Sequence, residues 1–486
     1  MHDTLFEGYY KRLERTPERI AIDIEGQSLT FAALYDEIQV TAQRLHATRN
    51  SLGLQGVMPI YVDRSLKSAL GIFASLWAGV PFTIIDEETP LSLAQDLLAR
   101  IKNAHPIWNM SETAIEDETQ LHLLEESAEW KPGNLEDLAY VILTSGSTGM
   151  PKGVMTSREN LTRNKSVNWF DDAANTDYST LAVAPFAFAM GMYGLFRVTK
   201  GASYYNLKPA NYTPRQFFER MKSLAPTHVS FPAQFARLYS RTNIDIVIES
   251  VQEIAIGGEA IRLEEVKALL KNFPETTKVL HSLGASEGSS GLQWKHSIHE
   301  ISGEGQVPLT PTPDASKFVP APEYGETVFE LWAGLNLAIG YYNNDALTEE
   351  RFVEQDGRRW WKSGDLLQQV GENEYTHYGR KDDVVKISGY LVSPMSVSNV
   401  LMTIPGITQA SVVSEKLEDR YVLHAYVVTK PSTQLGVEEI KIGLSNLVPG
   451  YMIPKHIYIV DDIPITARGK TDTKRLLSSG PAQNTL

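Results

Sequence analysis

The chain has 486 residues, 42% hydrophobic and 21% charged, the profile of a globular protein with room for about three packing units. Its net charge of −14 argues against binding nucleic acid or an anionic membrane, because both need a basic face. Zero cysteines exclude disulfides, thiolate metal sites and a cysteine nucleophile, so any thiol in its chemistry must come from a partner molecule.

The first fifteen residues, MHDTLFEGYYKRLER, hold no apolar run suited to a signal peptide. Short apolar runs then alternate with helical stretches. Val57 to Val62 and Pro81 to Ile85 read as strands, with the amphipathic segment Ser65 to Trp77 between them. Residues 120–137 are acidic, with Pro132 and Gly133 near the end, and are expected to form a surface excursion. Ala139 to Leu143 is the next apolar strand. The most apolar stretch, Leu181 to Phe196, is too short for a membrane span and is interrupted by Pro185, Gly191 and Gly194. A buried strand leading into a pocket-lining segment is expected there, and a cytoplasmic chain without membrane contact. Further strands are expected at Leu181 to Ala184, His228 to Phe231, Glu253 to Ile256 and Val279 to Leu283. Strands alternating with helices imply βαβ units and mostly parallel sheet.

After Glu323 the texture changes to alternating, aromatic-rich strands, ETVFELWAG, RRWWKSGDLL and EYTHYGR, which read as an antiparallel subdomain. From Val384 a smaller α/β piece follows, with strands at Ala410 to Val413 and Val422 to Val428, and the chain ends in a polar tail, SSGPAQNTL.

The densest chemical signal is Leu143-Thr144-Ser145-Gly146-Ser147-Thr148-Gly149-Met150-Pro151-Lys152-Gly153, placed directly after an apolar strand. Glycines let backbone N–H groups turn inward, hydroxyls donate and the lysine supplies charge, which together make a phosphate cradle rather than a flexible linker. The frame is not the P-loop one, since Lys152 is not followed by Ser or Thr. Gly469-Lys470-Thr471 fails the same frame because Pro464 stands where glycine is needed.

With other segments in order and spacing, this loop resembles the signature of the adenylate-forming superfamily, which includes acyl- and aryl-CoA ligases, peptide-synthetase adenylation domains and luciferases. The matching segments are Leu29-Thr30-Phe31 with Leu34, Trp77-Ala78-Gly79, His281 to Glu287, Gly340-Tyr341-Tyr342-Asn343, Ser363-Gly364-Asp365, Gly379-Arg380-Lys381-Asp382 through Lys386 to Gly389, and Pro464 to Lys470. The resemblance implies an α/β fold: a large N-terminal domain (1–381) of mostly parallel sheets with helices plus an antiparallel β subdomain, and a small mobile C-terminal α+β domain (382–486) carrying the catalytic lysine. It implies activation of a carboxylic acid by ATP as an acyl-AMP, then transfer to a thiol of CoA or of the phosphopantetheine arm of a carrier protein. The alternatives are an adenylation enzyme for an unusual amino acid, an acyl-AMP ligase loading a carrier protein, a luciferase-type oxygenase and, more distantly, a non-catalytic scaffold. A stand-alone monomer or homodimer is expected.

The same resemblance assigns roles residue by residue. Thr144, Ser145, Gly146, Ser147, Thr148, Gly149 and Lys152 would hold the ATP phosphates, with Thr148 counted among the catalytic groups. Gly258, Glu259, Ala260 and His281 would line the adenine, with His281 at a position usually Asn or Asp. Ser286 would donate to the α-phosphate, and Glu287 would ligate Mg²⁺, a role that suits a carboxylate beside phosphate oxygens. Taken without the resemblance, Glu287 also reads as an acid at a helix N-terminus. Asp365 would take both ribose hydroxyls, and Arg380 would lie near ribose and phosphates. Lys470 would bridge the attacking carboxylate and the α-phosphate, although in isolation a lysine in TARGKTDTK is a solvated surface charge. Asp382 is the expected hinge, and Gly389 would face the thiol channel.

The acid pocket is expected at Phe186, Phe188, Met192, Ile256, Gly257, Leu283 and Gly284, with Met190 and Tyr193 nearby. Some of these also read as ordinary core residues. Phe188 occupies the position where relatives that activate α-amino acids carry an ammonium-binding aspartate, and an ammonium buried against a phenyl ring is costly. Leu283 in place of a usual tyrosine, with Val385 to Pro394, resembles the benzoate- and anthranilate-CoA ligase branch. An aromatic or short apolar carboxylate is therefore expected.

Overall fold

The computed structural model describes residues 4–52, 56–87, 108–110, 137–145, 151–163, 177–240, 242–417, 420–430, 433, 435–465 and 471–478. The acidic segment 120–136, most of the glycine-rich loop, Lys470 and the tail after Ser478 lie outside them.

The largest sheet has nine strands, in the spatial order Thr310–Pro311, Gly288–Ser297, Lys278–Ala285, Glu253–Gly257, His228–Pro232, Ser179–Ala182, Ser203–Asn206, Ile20–Ile24 and Gln27–Thr30. Its centre, from Ile20–Ile24 across to Lys278–Ala285, is parallel throughout. Both margins are antiparallel hairpins. The parallel strands are buried on both faces and read as continuous apolar runs, as at Glu253–Gly257, because helices cover them. One of those helices is Pro214–Leu224. Thr213 caps it in a reciprocal box with Gln216, Pro214 opens the first turn, and Phe217, Phe218 and Met221 enter the core.

A second sheet of six strands runs Gly340–Tyr341, Pro151–Ser157, Leu138–Ser145, Phe82–Asp86, Met58–Val62, Trp108–Asn109. Here the expectation of parallel pairing is met at one side only. Leu138–Ser145 and Pro151–Ser157 form an antiparallel hairpin, because a short loop can join only antiparallel neighbours. Helix Leu66–Trp77, capped by Ser65, fills the crossover between Met58–Val62 and Phe82–Asp86.

The aromatic-rich region is an antiparallel sheet of Ser316–Pro320, Val328–Ala333, Arg358–Gly371, Phe352–Gln355 and Glu374–Arg380. Beyond it, residues 385–457 build a hydrophobic cluster of their own around Val392, Val397, Leu401, Ala425, Val427, Ile440 and Leu444. Its framework is the hairpin Val385–Ile387/Tyr390–Val392, helix Pro394–Leu401 and a sheet of Ile407–Leu417, Arg420–Thr429 and His456–Ile459. Ser388 (φ 50°) and Gly389 (φ 90°) form the two-residue turn of that first hairpin, where both central residues need left-handed backbone. No helix among the described residues is long and apolar enough to cross a membrane.

Candidate active site

Four neighbouring parallel strands end on the same edge of the large sheet, and the chain at three of those ends carries predicted site residues. Ser179–Ala182 leads to Phe186 and Phe188. Glu253–Gly257 contributes Ile256 and Gly257 and leads to Gly258, Glu259 and Ala260, while Lys278–Ala285 carries His281, Leu283 and Gly284 and leads to Ser286 and Glu287. The carboxyl ends of parallel strands are where open α/β sheets bind ligands, because side chains and loops diverge there and leave a crevice. Pro185, Gly191 and the helix Ala189–Phe196 turn the chain tightly at this edge. A Cβ on Gly191 would lie 2.0 Å from the Pro185 carbonyl oxygen, so only glycine fits.

Glu287 sits in the turn between Lys278–Ala285 and Gly288–Ser297, not at a helix start. The Tyr341 phenol donates to its Oε1 over 3.1 Å, and the Trp361 indole N–H donates to the same phenol over 3.4 Å. The backbone fixes this meeting. Ala338 N–H donates to the Glu287 carbonyl oxygen, and Gly340–Tyr341 pairs with Val154 and Met155 of the hairpin strand. Lys152, in register with Thr144 across that hairpin, places its ammonium 5.6 Å from the centre of the Tyr341 ring. Burial pushes the Glu287 carboxyl up from its ordinary value, against the opposing pull of the Tyr341 hydrogen bond and the charges of Arg380 and Lys152. A desolvated acid with cations at a distance fits a divalent cation. Among the described residues no group of three His, Cys, Asp or Glu gathers to hold a metal, so phosphate oxygens would have to complete the coordination shell of Mg²⁺.

Asp365 is buried on strand Arg358–Gly371, and three groups converge on it. Arg380 Nη1 donates to Oδ1 over 2.9 Å, His377 Nε2 lies 3.3 Å from the same oxygen, and the Asp365 amide bonds to Ser363 Oγ. Burial alone would raise this carboxyl, but the His377 hydrogen bond and the charges of His377 and Arg380 outweigh it, so the net shift is downward. His377 and Arg380 are three apart on one strand and would ordinarily face opposite sides. A bulge opposite Leu366 and Leu367 inserts one extra residue and turns both toward Asp365.

His281 is buried, and its Nδ1 lies 3.0 Å from the Ile256 carbonyl oxygen. That oxygen can only accept, so Nδ1 carries the proton and Nε2 is left as an acceptor. Burial holds the imidazole down at about 4. Gly258 has φ 93° and open space where a side chain would be, leaving its backbone accessible. The Glu259 carboxylate is taken by Arg237 at 2.8 Å, with Glu265 on the same guanidinium at 3.1 Å, so this segment offers its backbone more than its charge.

In the expected acid pocket, Phe186, Met192 and Ile256 are fully buried in the hydrophobic core, whereas Phe188, Met190, Tyr193 and Leu283 are half-buried and Gly284 is exposed. A small pocket open to solvent beside Phe186 is lined by Val62, Asp63, Arg64, Asp86, Glu87 and Pro185, and Glu287 is not part of its lining. Asp382, in the short turn Lys381–Asp383, meets Arg351 at 3.6 Å. The Gly389 turn is exposed. Arg158 donates to the Leu76 carbonyl oxygen at 2.7 Å, a helix-end contact, and Ser396 is buried near the start of helix Pro394–Leu401. Gly146, Ser147, Thr148, Gly149 and Lys470 lie outside the described residues, and of Ser145 only the backbone pairing is described.

Three participants carried no assigned role in the sequence reading: Tyr341, His377 and Arg237. Tyr341 stood inside a recognised motif, so its signal was present. Only the bulge brings His377 to Asp365, and Arg237 lies on a helix whose position relative to Glu259 depends on packing.

The sequence itself matches a known family. Residues 9–319 match the AMP-binding enzyme family and residues 396–470 match the AMP-binding enzyme C-terminal domain. The chain therefore belongs to the AMP-binding enzymes, the adenylate-forming superfamily. It is 29% identical over 511 aligned positions to surfactin synthase subunit 2 of Bacillus subtilis (strain 168), covering 99% of this chain and 14% of that protein. It is 28% identical to zwittermicin A synthase ZmaJ of Bacillus cereus, covering 98% of this chain and 94% of that one. Its fold is similar to that of Klebsiella oxytoca NpsA in complex with 3-hydroxyanthranilyl-AMSN, with a TM-score of 0.76, 19% identity and 99% of both chains covered.

Proposed function

We propose that this chain activates a small, aromatic or short apolar carboxylic acid with Mg-ATP, releasing pyrophosphate, and passes the acyl group to the thiol of CoA or of a carrier protein as an acid–thiol ligase. The observation that carries the reading is Glu287, a desolvated carboxylate bonded to the Tyr341 phenol, which has the Lys152 ammonium over its ring, and acted on by the charges of Arg380 and Lys152. In this reading the carboxylate oxygen of the acid attacks the α-phosphorus of ATP, the bond to the bridging oxygen breaks, and pyrophosphate leaves with the electron pair. The acyl-AMP then loses AMP to the incoming thiolate.

Within that scheme the hairpin residues Thr144 to Lys152 and Ser286 hold phosphate oxygens, with Thr148 close to the reacting phosphate. Magnesium held by Glu287 would neutralise charge on the phosphates. Asp365 accepts from the ribose hydroxyls, Arg380 steadies it, and His281 with the Gly258–Ala260 backbone lines the adenine. The neutral His281 Nε2 supports that assignment, since an acceptor matches an exocyclic amino group. Phe188, Leu283, Gly257 and Gly284 face the acid, while Phe186, Met192 and Ile256 back the wall from the core. Lys470 supplies the ammonium that bridges two approaching anions, a contribution of about 3–4 kcal/mol for a positioned donor. Residues 1–381 form the nucleotide- and acid-binding domain, and 382–486 a smaller domain that turns about Asp382 to bring Gly389 to the thiol channel.

A second reading has specific support: the relatives named above are surfactin synthase subunit 2 and zwittermicin A synthase ZmaJ, neither named as a CoA ligase, which keeps a carrier-protein thiol and an unusual amino acid open. One assay decides. An ATP–pyrophosphate exchange screen over acids, repeated with CoA and with carrier proteins and read by mass spectrometry, should give exchange with aromatic or short apolar acids. Exchange confined to α-amino acids or long fatty acids would overturn the substrate assignment, and no exchange with any acid would overturn the activity. Lys470→Ala should lose acyl-AMP formation while still accepting preformed acyl-AMP in the thiol step.

A further inference from the structure

Among the described residues, the unit built from residues 385–476 contacts strand Glu374–Arg380, which carries His377 and Arg380. Ser393 Oγ donates to the Tyr378 carbonyl oxygen at 2.8 Å, and Asn399 Nδ2 donates to the His377 carbonyl oxygen at 3.3 Å. The contact is tight: a Cβ on Gly379 would lie 2.3 Å from Ser393 Oγ. At its centre is a side chain with a partner on each side. His377 Nε2 lies 3.3 Å from Asp365 Oδ1, and its Nδ1 lies 2.9 Å from Met395 Sδ, on helix Pro394–Leu401 of the C-terminal unit.

We infer that His377 is a positioning residue that couples the Asp365 site to the seating of helix Pro394–Leu401, one ring nitrogen serving each. The inference rests on the reading of Asp365 as a nucleotide ligand. A ligand drawing on Asp365 changes the hydrogen-bonding demand on His377 Nε2. The ring is rigid, so any reorientation at one nitrogen displaces the other, and with it the Met395 contact. Coupling between two sites needs such an element with differential contacts to both, and it is reciprocal: seating the helix against His377 stabilises the Asp365 arrangement in turn. Met395 is suited to a contact that must form and break, because a thioether is a weak acceptor on a flexible stem.

The test uses AMP as probe, calorimetry for its affinity and hydrogen exchange of residues 393–401 for the coupling. Wild-type chain should bind AMP and change exchange in 393–401 on binding. His377→Phe keeps the ring volume but loses both nitrogens, and should weaken AMP by about tenfold and abolish the exchange response. His377→Gln places a donor near the Nε2 position and should restore affinity to within about threefold without restoring the response. Met395→Leu should leave affinity within about twofold of wild type while losing the response. A response that survives both His377→Phe and Met395→Leu overturns the coupling. So does wild-type chain that binds AMP with unchanged exchange, and in that case the proposed activity stands. Wild-type chain that does not bind AMP overturns the nucleotide site and the coupling together.

Discussion

The Tyr341 phenol donates to Glu287 Oε1 across 3.1 Å, joining two residues 54 positions apart, and the ammonium of Lys152 lies 5.6 Å from the centre of the same ring. Burial raises the Glu287 carboxyl and the phenol, donating to its charged form, counteracts part of that rise.

Tyr341→Phe should therefore shift the acidic limb of exchange activity to higher pH. The carboxylate must be charged to hold a cation, and removing a donor to its charged form raises its pKa further. The expected loss of rate at pH 7 is about tenfold, and it should be partly recovered by raising magnesium. Pyrophosphate exchange measured across pH at two magnesium concentrations checks this. An unshifted acidic limb would remove Tyr341 from the account.

Asp365 has the opposite sign. Its folded carboxyl lies below the ordinary value of 3.8, so its stabilisation is present above that pH and is lost as pH falls through the folded value. Asp365→Asn leaves Arg380 and His377 without their anion and should cost about 1–3 kcal/mol near pH 7. The gap between denaturant titrations of the two chains should narrow as pH falls below the ordinary value of 3.8. A gap that stays constant below it would refute the charge-based explanation.

Two histidines, His281 buried and His228 half-buried, set a second pH limit. Burial holds His281 at about 4 and His228 at about 3, both below the unfolded value of 6.5. The unfolded chain then binds more protons than the folded one, so stability falls as pH drops from about 6.5 toward the folded values. His281 alone should contribute a loss on the order of 2 kcal/mol between pH 7 and 5. Melting scans of wild type and of His281→Asn across that range check it, the variant showing the shallower decline.

Phe188 is the residue before helix Ala189–Phe196, in extended backbone and with no side-chain cap. Aspartate is a good residue for that position, worth about 0.5–2 kcal/mol as a cap. Phe188→Asp should thus melt no lower than wild type while losing at least about tenfold in exchange with an apolar acid, since a half-exposed carboxylate facing the pocket repels the acid's own carboxylate and disfavours its apolar body. Activity loss accompanied by unfolding would instead mark Phe188 as a core residue.

Local structure was legible in the sequence wherever it is carried by neighbours in the chain. The parallel strands read from their continuous apolar segments and the change to alternation after Glu323 both depend on short-range pattern. The strand ends came out within a few residues: the expected Val279 to Leu283 is Lys278–Ala285, and Ala410 to Val413 extends to Ile407–Leu417. The expectation of mostly parallel sheet fits the large sheet better than the second, where the loop before Pro151 requires a hairpin.

What the sequence by itself determined was which residues can do chemistry and which strand each follows, because the periods of two and 3.6 and the turn preferences of glycine and proline are local properties of the chain. Only the tertiary structure decided which of them meet. The Tyr341–Glu287 contact depends on how two sheets abut, and the convergence of His377 and Arg380 on Asp365 depends on a one-residue bulge that reverses the face of every side chain beyond it. Register between strands is settled by the packing of whole faces, and no local pattern encodes it.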